Sequence, residues 1–328
     1  MPDARRLRWA LLGTARINRL VIPAIRASSR STLVAVASRD RARAEAYAAE
    51  WTITRAIGSY DELLDAADID IVYIPLPNSL HADWCIRAVE RGKHVLCEKP
   101  LALSVLDVDR IAAAASRQDR TVTEGFMYRH HAQTARVCEL VESGAIGTLR
   151  VILSGFTYPQ SRAADVRLEP TLGGGCLWDV GCYPVSFAQH VAGAPPARVS
   201  GWKQMGPTGV DEAFAGTLTY ANGVVCQVHA GFRAAYQTVL RLIGTDGVLE
   251  VERPFRPGPL ETLRLQRGAS VEPIVVEGSP AFVDEVIDME DATLGIRPAR
   301  ITLAESRLHV ATIGALHRAA TERRDVEM

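Results

Sequence analysis

The first 126 residues alternate strand-length apolar runs with stretches whose apolar residues recur at helical spacing. No other feature restricts the fold as strongly, because strands alternating with helices at this interval predict a parallel sheet with right-handed crossovers. Residues 7–12 form the first run and end at Gly13, after which Ile17, Leu20, Val21, Ala24 and Ile25 mark a helix face. Residues 33–37 form the second run. Ser59 and Glu62 have capping-box spacing and open a helix through Leu63 and Leu64. Residues 69–74 are almost continuously apolar, as expected of a strand covered on both faces. Asn78 or Ser79 is expected to cap the next helix, and Gly92 to end it in a left-handed conformation. A strand at 94–97, a helix started by Ser104 and Asp107, and a strand at 121–126 complete the pattern.

The turns that follow these strands carry the chemistry, because ligands in an open α/β sheet sit beyond the carboxyl ends of the strands. The first turn reads Gly13-Thr14-Ala15-Arg16-Ile17-Asn18. A strand, a tight turn and a helix open a dinucleotide-binding unit, and the helix N-terminus offers unpaired N–H groups to a pyrophosphate. Only the first glycine of the usual fingerprint stands here, with Ala15 and Asn18 in the other two places. The second strand ends in Ser38-Arg39-Asp40, with Arg43 close by. A hydroxyl beside guanidinium groups suits a ribose 2′-phosphate, which favours NADP(H) and leaves NAD(H) as the other option. The alternative for Arg39, Arg41 and Arg43 is a solvated helix start. Pro75-Leu76-Pro77-Asn78, followed by His81, is the third turn, and His81 has a structural reading as well as a cofactor one. The fourth, Glu98-Lys99-Pro100, puts a lysine just past a buried strand and a proline behind it.

From about residue 124 the texture changes to strand candidates without intervening helices, at 149–158, 216–220, 224–232, 239–243, 248–252, 262–266 and 274–276. Asn222-Gly223 and Asp246-Gly247 are hairpin dipeptides between such runs. A helix is expected over 133–142, another from near Gly181, and a last one over 304–320. The expectation is therefore an α/β chain: a doubly wound parallel dinucleotide-binding sheet over 1–124, and over 125–328 an α+β domain on an open, mostly antiparallel sheet. The last helix is expected to pack back on the first domain. An open sheet needs its exposed face covered, which suggests a homodimer or homotetramer through that face. Within the second half, Gly173, Gly174 and Gly175 allow close backbone approach, and Asp179 and Tyr183 are four apart, hence on one face of a helix. A carboxylate beside a phenol is a workable proton-transfer pair; the alternative is a capping aspartate and a core tyrosine.

Bulk properties exclude other classes. A net charge of −1 gives no footprint for nucleic acid or an anionic membrane. The six cysteines are scattered without metal-ligand spacing, so neither a metal site nor a disulfide framework is expected. Residues 1–8 are charged and not followed by the apolar core of a leader peptide, so a cytoplasmic protein is expected.

With these motifs in order, the chain resembles the Gfo/Idh/MocA oxidoreductases. The matching residues are the Gly13 turn, Pro77-Asn78 with His81, Glu98-Lys99-Pro100, the three glycines, and Asp179, Gly181 and Tyr183. The resemblance spans essentially the whole chain. It implies that nicotinamide and a sugar or cyclic polyol meet at a site with Lys99, Asp179 and Tyr183 as catalytic residues. Many members carry histidine at the last position. Tyrosine there is similar to the branch of glucose-fructose oxidoreductase, pyranose and dihydrodiol dehydrogenases, and deoxysugar 3-ketoreductases. The stretch from Phe126 to His131 most resembles the ketoreductases. Ala15 and Asn18 depart from the pattern.

The expected activity is hydride transfer between nicotinamide and a carbonyl or hydroxyl carbon, as a ketosugar reductase or sugar dehydrogenase. Tyr183 is expected to supply the proton and Lys99 to lower its pKa and stabilise the alkoxide. Asp179 is expected to hold a substrate hydroxyl or orient Lys99, and Glu98 to bond near the nicotinamide ribose. Arg129 and Tyr158 line the substrate side, and Arg129 also belongs to the expected cofactor set. Two rival readings are an NAD-dependent glycoside hydrolase and a non-catalytic NAD(P)-binding sensor.

Overall fold

The computed structural model describes residues 6–162 and 164–328. The leader-peptide reading of residues 1–8 thus lies in part outside the described residues. By contact, the chain divides into two compact units: Met1–Phe126 with Pro280–Arg307, and Met127–Ser279 with Leu308–Met328. The boundary expected at 124–125 falls next to the first passage between units. It does not describe the return of 280–307 to the first unit.

The first unit runs β1 (Leu7–Leu12), α1 (Asn18–Ala27), β2 (Ser31–Ala37), α2 (Arg41–Glu50), β3 (Arg55–Ile57), α3 (Tyr60–Asp65), β4 (Ile71–Ile74), α4 (His81–Glu90), β5 (His94–Glu98), α5 (Val105–Gln118) and β6 (Val122–Gly125). Its six strands are all parallel, in the order β3-β2-β1-β4-β5-β6. This is the doubly wound order, in which the strand sequence reverses between β1 and β4 and leaves a crevice at their carboxyl ends. All four residues of β4 are buried, which explains its continuous apolar run. Gly92 ends α4 with φ 76°. Ser104 caps α5 by accepting from the Asp107 backbone N–H at 3.1 Å. Two expected caps differ. Ser59 precedes α3 but its hydroxyl makes no capping bond. Asn78 and Ser79 form a 3-10 turn of their own, so α4 starts at His81 with no side-chain cap.

The helix α8 (Val283–Thr293) belongs to this unit and was not expected. Its acidic sequence reads as surface, yet Glu285, Asp288 and Glu290 are buried. Arg30 reaches Glu290 at 2.9 Å and Asp291 at 2.7 Å, and Ser31, which accepts from the Trp9 indole, donates to Glu290. Asp288 accepts from the Arg300 backbone N–H. Burial pushes the Glu285 carboxyl well above the usual range, helped by the charges of Glu98 and Asp288.

The second unit contains α6 (Ala132–Glu142), β7 (Leu149–Thr157), α7 (Cys182–Ala192), β8 (Arg198–Met205), β9 (Asp211–Thr219), β10 (Val225–Gly231), β11 (Gln237–Gly244), β12 (Val248–Val251), β13 (Leu260–Arg267), β14 (Ser270–Glu277) and β15 (Val326–Glu327). The last long helix, α9 (Leu303–Glu322), begins in the first unit and continues in the second. Nine strands order as β14-β13-β12-β11-β7-β10-β9-β8-β15. Every pairing is antiparallel except β7 with β10. Along β13, Glu261, Leu263 and Leu265 are buried while their neighbours are exposed, the alternation of a sheet with one covered face. Both expected hairpins are present, between β9 and β10 and between β11 and β12. The edge strand β15 and its neighbour β8 were not expected. In β8 only Val199 is buried, so its sequence carries no apolar alternation.

All six cysteines are free, and five are buried. Among the described residues, no helix is long and apolar enough to cross a membrane.

Candidate functional site

In the first unit, four turns lie at the carboxyl ends of β1, β2, β4 and β5. Gly13 follows β1 with φ 120°, a conformation that side-chain-bearing residues rarely adopt. A Cβ there would lie 3.2 Å from Leu76, so the Gly13 turn abuts the turn after β4. Asn18 occupies the third glycine position because its buried amide donates to the Gly13 carbonyl at 2.9 Å and pins the turn. Ile17 precedes α1 with no side-chain cap, and the first turn of the helix has no acidic residue. The leading N–H groups of α1 thus have no competing side-chain acceptor, which suits a phosphate.

At the end of β2, Ser38 is buried. Asp40 caps α2 by accepting from the Arg43 backbone N–H at 3.2 Å. Its carboxylate is therefore engaged in the fold, away from the role of a ribose 2′-OH acceptor. Arg39 hydrogen-bonds Tyr60, and Arg39 and Arg43 both oppose the upward push of burial on that phenol. Tyr60 in turn lies 3.6 Å from where a Gly13 Cβ would stand. The basic pair and the glycine turn thus flank one tyrosine, and these residues fit a phosphorylated dinucleotide.

The Lys99 turn is held by buried side chains from three neighbouring elements. Tyr73 of β4 donates its hydroxyl to Glu98 at 2.6 Å. The His81 ring of α4 meets the Pro100 carbonyl through Nδ1 and the Leu76 carbonyl through Nε2, each at 2.7 Å. Glu124 of β6 accepts from the Leu101 backbone N–H at 2.9 Å. The Lys99-Pro100 peptide is cis. Gly125 lets β6 pass close by, since a Cβ there would be 3.1 Å from the Cys97 carbonyl and 3.4 Å from the Glu98 Cα. A lysine on a turn fixed before, beside and behind it has its backbone preorganised.

In the second unit, Asp179 lies in a π-helical turn, Leu177–Gly181, that leads into α7, and Tyr183 is the second residue of α7. The helix start on which both were expected is thus continuous, but it is π-helical up to Gly181 and α-helical from Cys182. Oδ2 of Asp179 accepts from Tyr158 at 2.8 Å and from Arg167 Nε at 2.9 Å. The aspartate is nearly buried, and its charge is the main cause of the raised pKa of Arg167. Arg167 also pairs with Asp165. Gly174 makes room for this loop, because a Cβ there would be 2.5 Å from the Arg167 carbonyl. Tyr183 is buried in an aromatic cluster, with ring centroids of Phe255, Phe156 and Tyr128 at 5.6, 5.7 and 6.0 Å. Buried Arg129 bonds His190 of α7 at 3.0 Å.

The fold thus groups the expected residues into two sets. One contains Gly13, Leu76, His81 and Glu98, and the other Tyr158 and Asp179. Sequence reasoning missed Tyr73, Glu124, Arg167 and His190. None lies in a motif, and each is found only through the partner that it holds.

A parallel sheet in this strand order, with a glycine turn opening on an uncapped helix, defines the class of dinucleotide-binding folds. The chain belongs to the Gfo/Idh/MocA family. Residues 7–126 match the oxidoreductase family with an NAD-binding Rossmann fold, and residues 134–250 match the GFO/IDH/MocA C-terminal domain. D-xylose 1-dehydrogenase (NADP(+)) 2 of Haloferax volcanii is 36% identical over 324 residues, 98% of this chain and 99% of that protein. A dTDP-3,4-didehydro-2,6-dideoxy-alpha-D-glucose 3-reductase of Streptomyces antibioticus is 35% identical over 92% of each chain. Among solved structures, a 3-ketoreductase from Actinomadura kijaniata in complex with NADP and TDP-benzene superposes with a TM-score of 0.91. It is 29% identical, covering 96% of this chain and 98% of that one.

Proposed function

We propose that the enzyme transfers hydride between NADP(H) and a ring carbon of a sugar, as a ketosugar reductase or a sugar dehydrogenase. The observation that carries the reading is the Lys99 turn, held by Tyr73, His81 and Glu124 on the same sheet edge as the Gly13 turn. The NADP-dependent xylose dehydrogenase and the NADP-bound ketoreductase among the relatives support the cofactor and the substrate class. NADPH, when bound, supplies the hydride.

The residues of the chain do the rest. The uncapped start of α1 and the residues from Gly13 to Ile17 bind the pyrophosphate, and Ser38, Arg39 and Arg43 bind the 2′-phosphate. The turn from Pro75 to Asn78 lines the nicotinamide side, and Glu98 holds the adjoining ribose. As the carbonyl carbon is reduced, its oxygen gains negative charge. Lys99 stabilises that charge and Tyr183 donates the proton. Asp179, held by Arg167, orients a sugar hydroxyl together with Tyr158. Arg129 supports the substrate side through α7.

Two copies of the chain associate through the open sheet face, where Trp202 is exposed beside Ala215, Thr217, Gln227 and His229. The six free thiols and the intracellular cofactor fit the cytoplasm.

The test has two stages. NADPH and NADH are titrated against the protein, and turnover is then followed by cofactor absorbance over a panel of nucleotide-linked ketosugars, free aldoses and cyclic polyols. A stoichiometric change in cofactor absorbance with a sugar supports the reading, and glycoside cleavage without net cofactor turnover overturns it. Lys99→Ala and Tyr183→Phe each lower turnover by about a hundredfold or more with NADPH binding retained. Near-normal turnover of Tyr183→Phe removes that residue from the acid role.

A further inference from the structure

Both ring nitrogens of His81 meet carbonyl oxygens at 2.7 Å, that of Pro100 at Nδ1 and that of Leu76 at Nε2. The ring is completely buried. Carbonyl oxygens only accept, so the doubly protonated ring donates to both at once, whereas the neutral ring, with one N–H, donates to either one in turn. Leu76 belongs to the turn that abuts Gly13, and Pro100 directly follows Lys99. One side chain thereby touches the backbone on the dinucleotide side and the backbone behind the lysine.

We propose that His81 is a positioning residue for Lys99, tying the Leu76 and Pro100 carbonyls so that the dinucleotide turn and the lysine turn form one element. The inference rests on the catalytic role assigned to Lys99. It gives His81 a part in the reaction that contact with the cofactor does not require. Each tether acts on a different turn: the Nδ1 bond fixes the peptide next to Lys99, and the Nε2 bond fixes the turn facing Gly13. The two can therefore be removed separately. An asparagine amide nitrogen lies near the position of Nδ1, and a glutamine amide nitrogen near that of Nε2.

The experiment compares His81→Asn, His81→Gln and His81→Leu in the full chain. Turnover, the KM for the sugar and the Kd for NADPH are measured, with Tm as the control for folding. Turnover of the Asn variant is expected to exceed that of Gln by about fivefold or more, while Gln binds NADPH more tightly than Asn, as expected when each restores one charge-free hydrogen bond. The Leu variant loses both. In the Lys99→Ala background, His81→Leu produces no further fall in turnover, because the cycle closes on a shared element. Equal turnover of Asn and Gln overturns the proposal, as does a further multiplicative loss in the Lys99→Ala background. A loss of Tm alone, with turnover kept in all three variants, also overturns it. If Lys99→Ala itself keeps full turnover, the catalytic reading fails, and the order of NADPH affinities between Asn and Gln still tests the tie to Leu76. Should the Leu variant not fold, the Asn and Gln pair decides the question.

Discussion

The hydroxyl of Tyr158 donates to Oδ2 of Asp179 at 2.8 Å, and Arg167 shares the same oxygen. A carboxylate oxygen that accepts from both a phenol and a guanidinium is fixed in position by two donors. In the proposed reaction Asp179 orients the sugar, and Arg167 is one of the two donors that hold it. Replacing Arg167 by Leu is expected to lower kcat/KM for the sugar by about tenfold, which corresponds to ~1.4 kcal/mol. The loss falls mainly on KM, and NADPH affinity is kept. Arg167→Lys does not restore it, because an ammonium cannot serve Asp165 and Asp179 together as the planar fork does. Wild-type kinetics in Arg167→Leu rejects the role.

Cofactor choice is argued from Asp40 and its neighbours. Asp40 caps α2, and the proposed function assigns the ribose 2′-phosphate to Ser38, Arg39 and Arg43. The double variant Arg39→Ala/Arg43→Ala is expected to raise the KM for NADPH by about tenfold or more while that for NADH changes little, as removal of phosphate contacts predicts. Equal effects on the two cofactors count against a 2′-phosphate site.

The open sheet gives a prediction about assembly. Trp202 is 59% exposed, and its cross-strand partner is Ala215, which also pairs with His229. A large aromatic at this position leaves apolar area in water unless a second copy covers it. Light scattering is expected to show a mass that is a multiple of the chain mass, and Trp202→Glu to reduce it to that of one chain with Tm lowered. A wild-type protein that runs as a single chain at micromolar concentration contradicts the assignment.

The sequence was most legible where burial acts on both sides of an element. In β4 and β5, two covered faces leave apolar runs that admit few other readings. The hairpins were legible because Asn-Gly and Asp-Gly dipeptides have local causes. Elements whose signal lies in their partners were not. The acidic sequence of α8 gives no sign that Arg30 meets Glu290 and Asp291 or that the Arg300 backbone N–H meets Asp288. The strand β8, with Trp202 and Lys203 on an uncovered edge region, lacks alternation. At the site, Lys99 and Asp179 stood in motifs, whereas Glu124 and Arg167 act through residues far from them in sequence. The three glycines were expected to allow close approach, and Gly174 does so for the Arg167 carbonyl.

The last prediction concerns acid stability, and it rests on His94 at the start of β5. The half-buried ring accepts from the Thr121 backbone N–H at 3.1 Å through Nδ1, a bond that requires the neutral form. Burial first, and then the charge of Arg120, lower its pKa from 6.5 to about 4. In the unfolded chain the ring takes up a proton near pH 6.5, and in the folded chain only near pH 4. Between these values the unfolded state binds more protons, so stability falls as the pH is lowered, and the loss is complete below about pH 4. With allowance for solvent screening of a ring that water partly reaches, the contribution is about 2 kcal/mol. Asparagine at this position can accept from the Thr121 N–H without titrating. Urea unfolding at intervals from pH 7 to 4 is expected to show that the gap in stability between the wild type and His94→Asn narrows, or reverses in favour of the variant, as the pH falls. Parallel curves for the two proteins over that range would refute the assignment to His94.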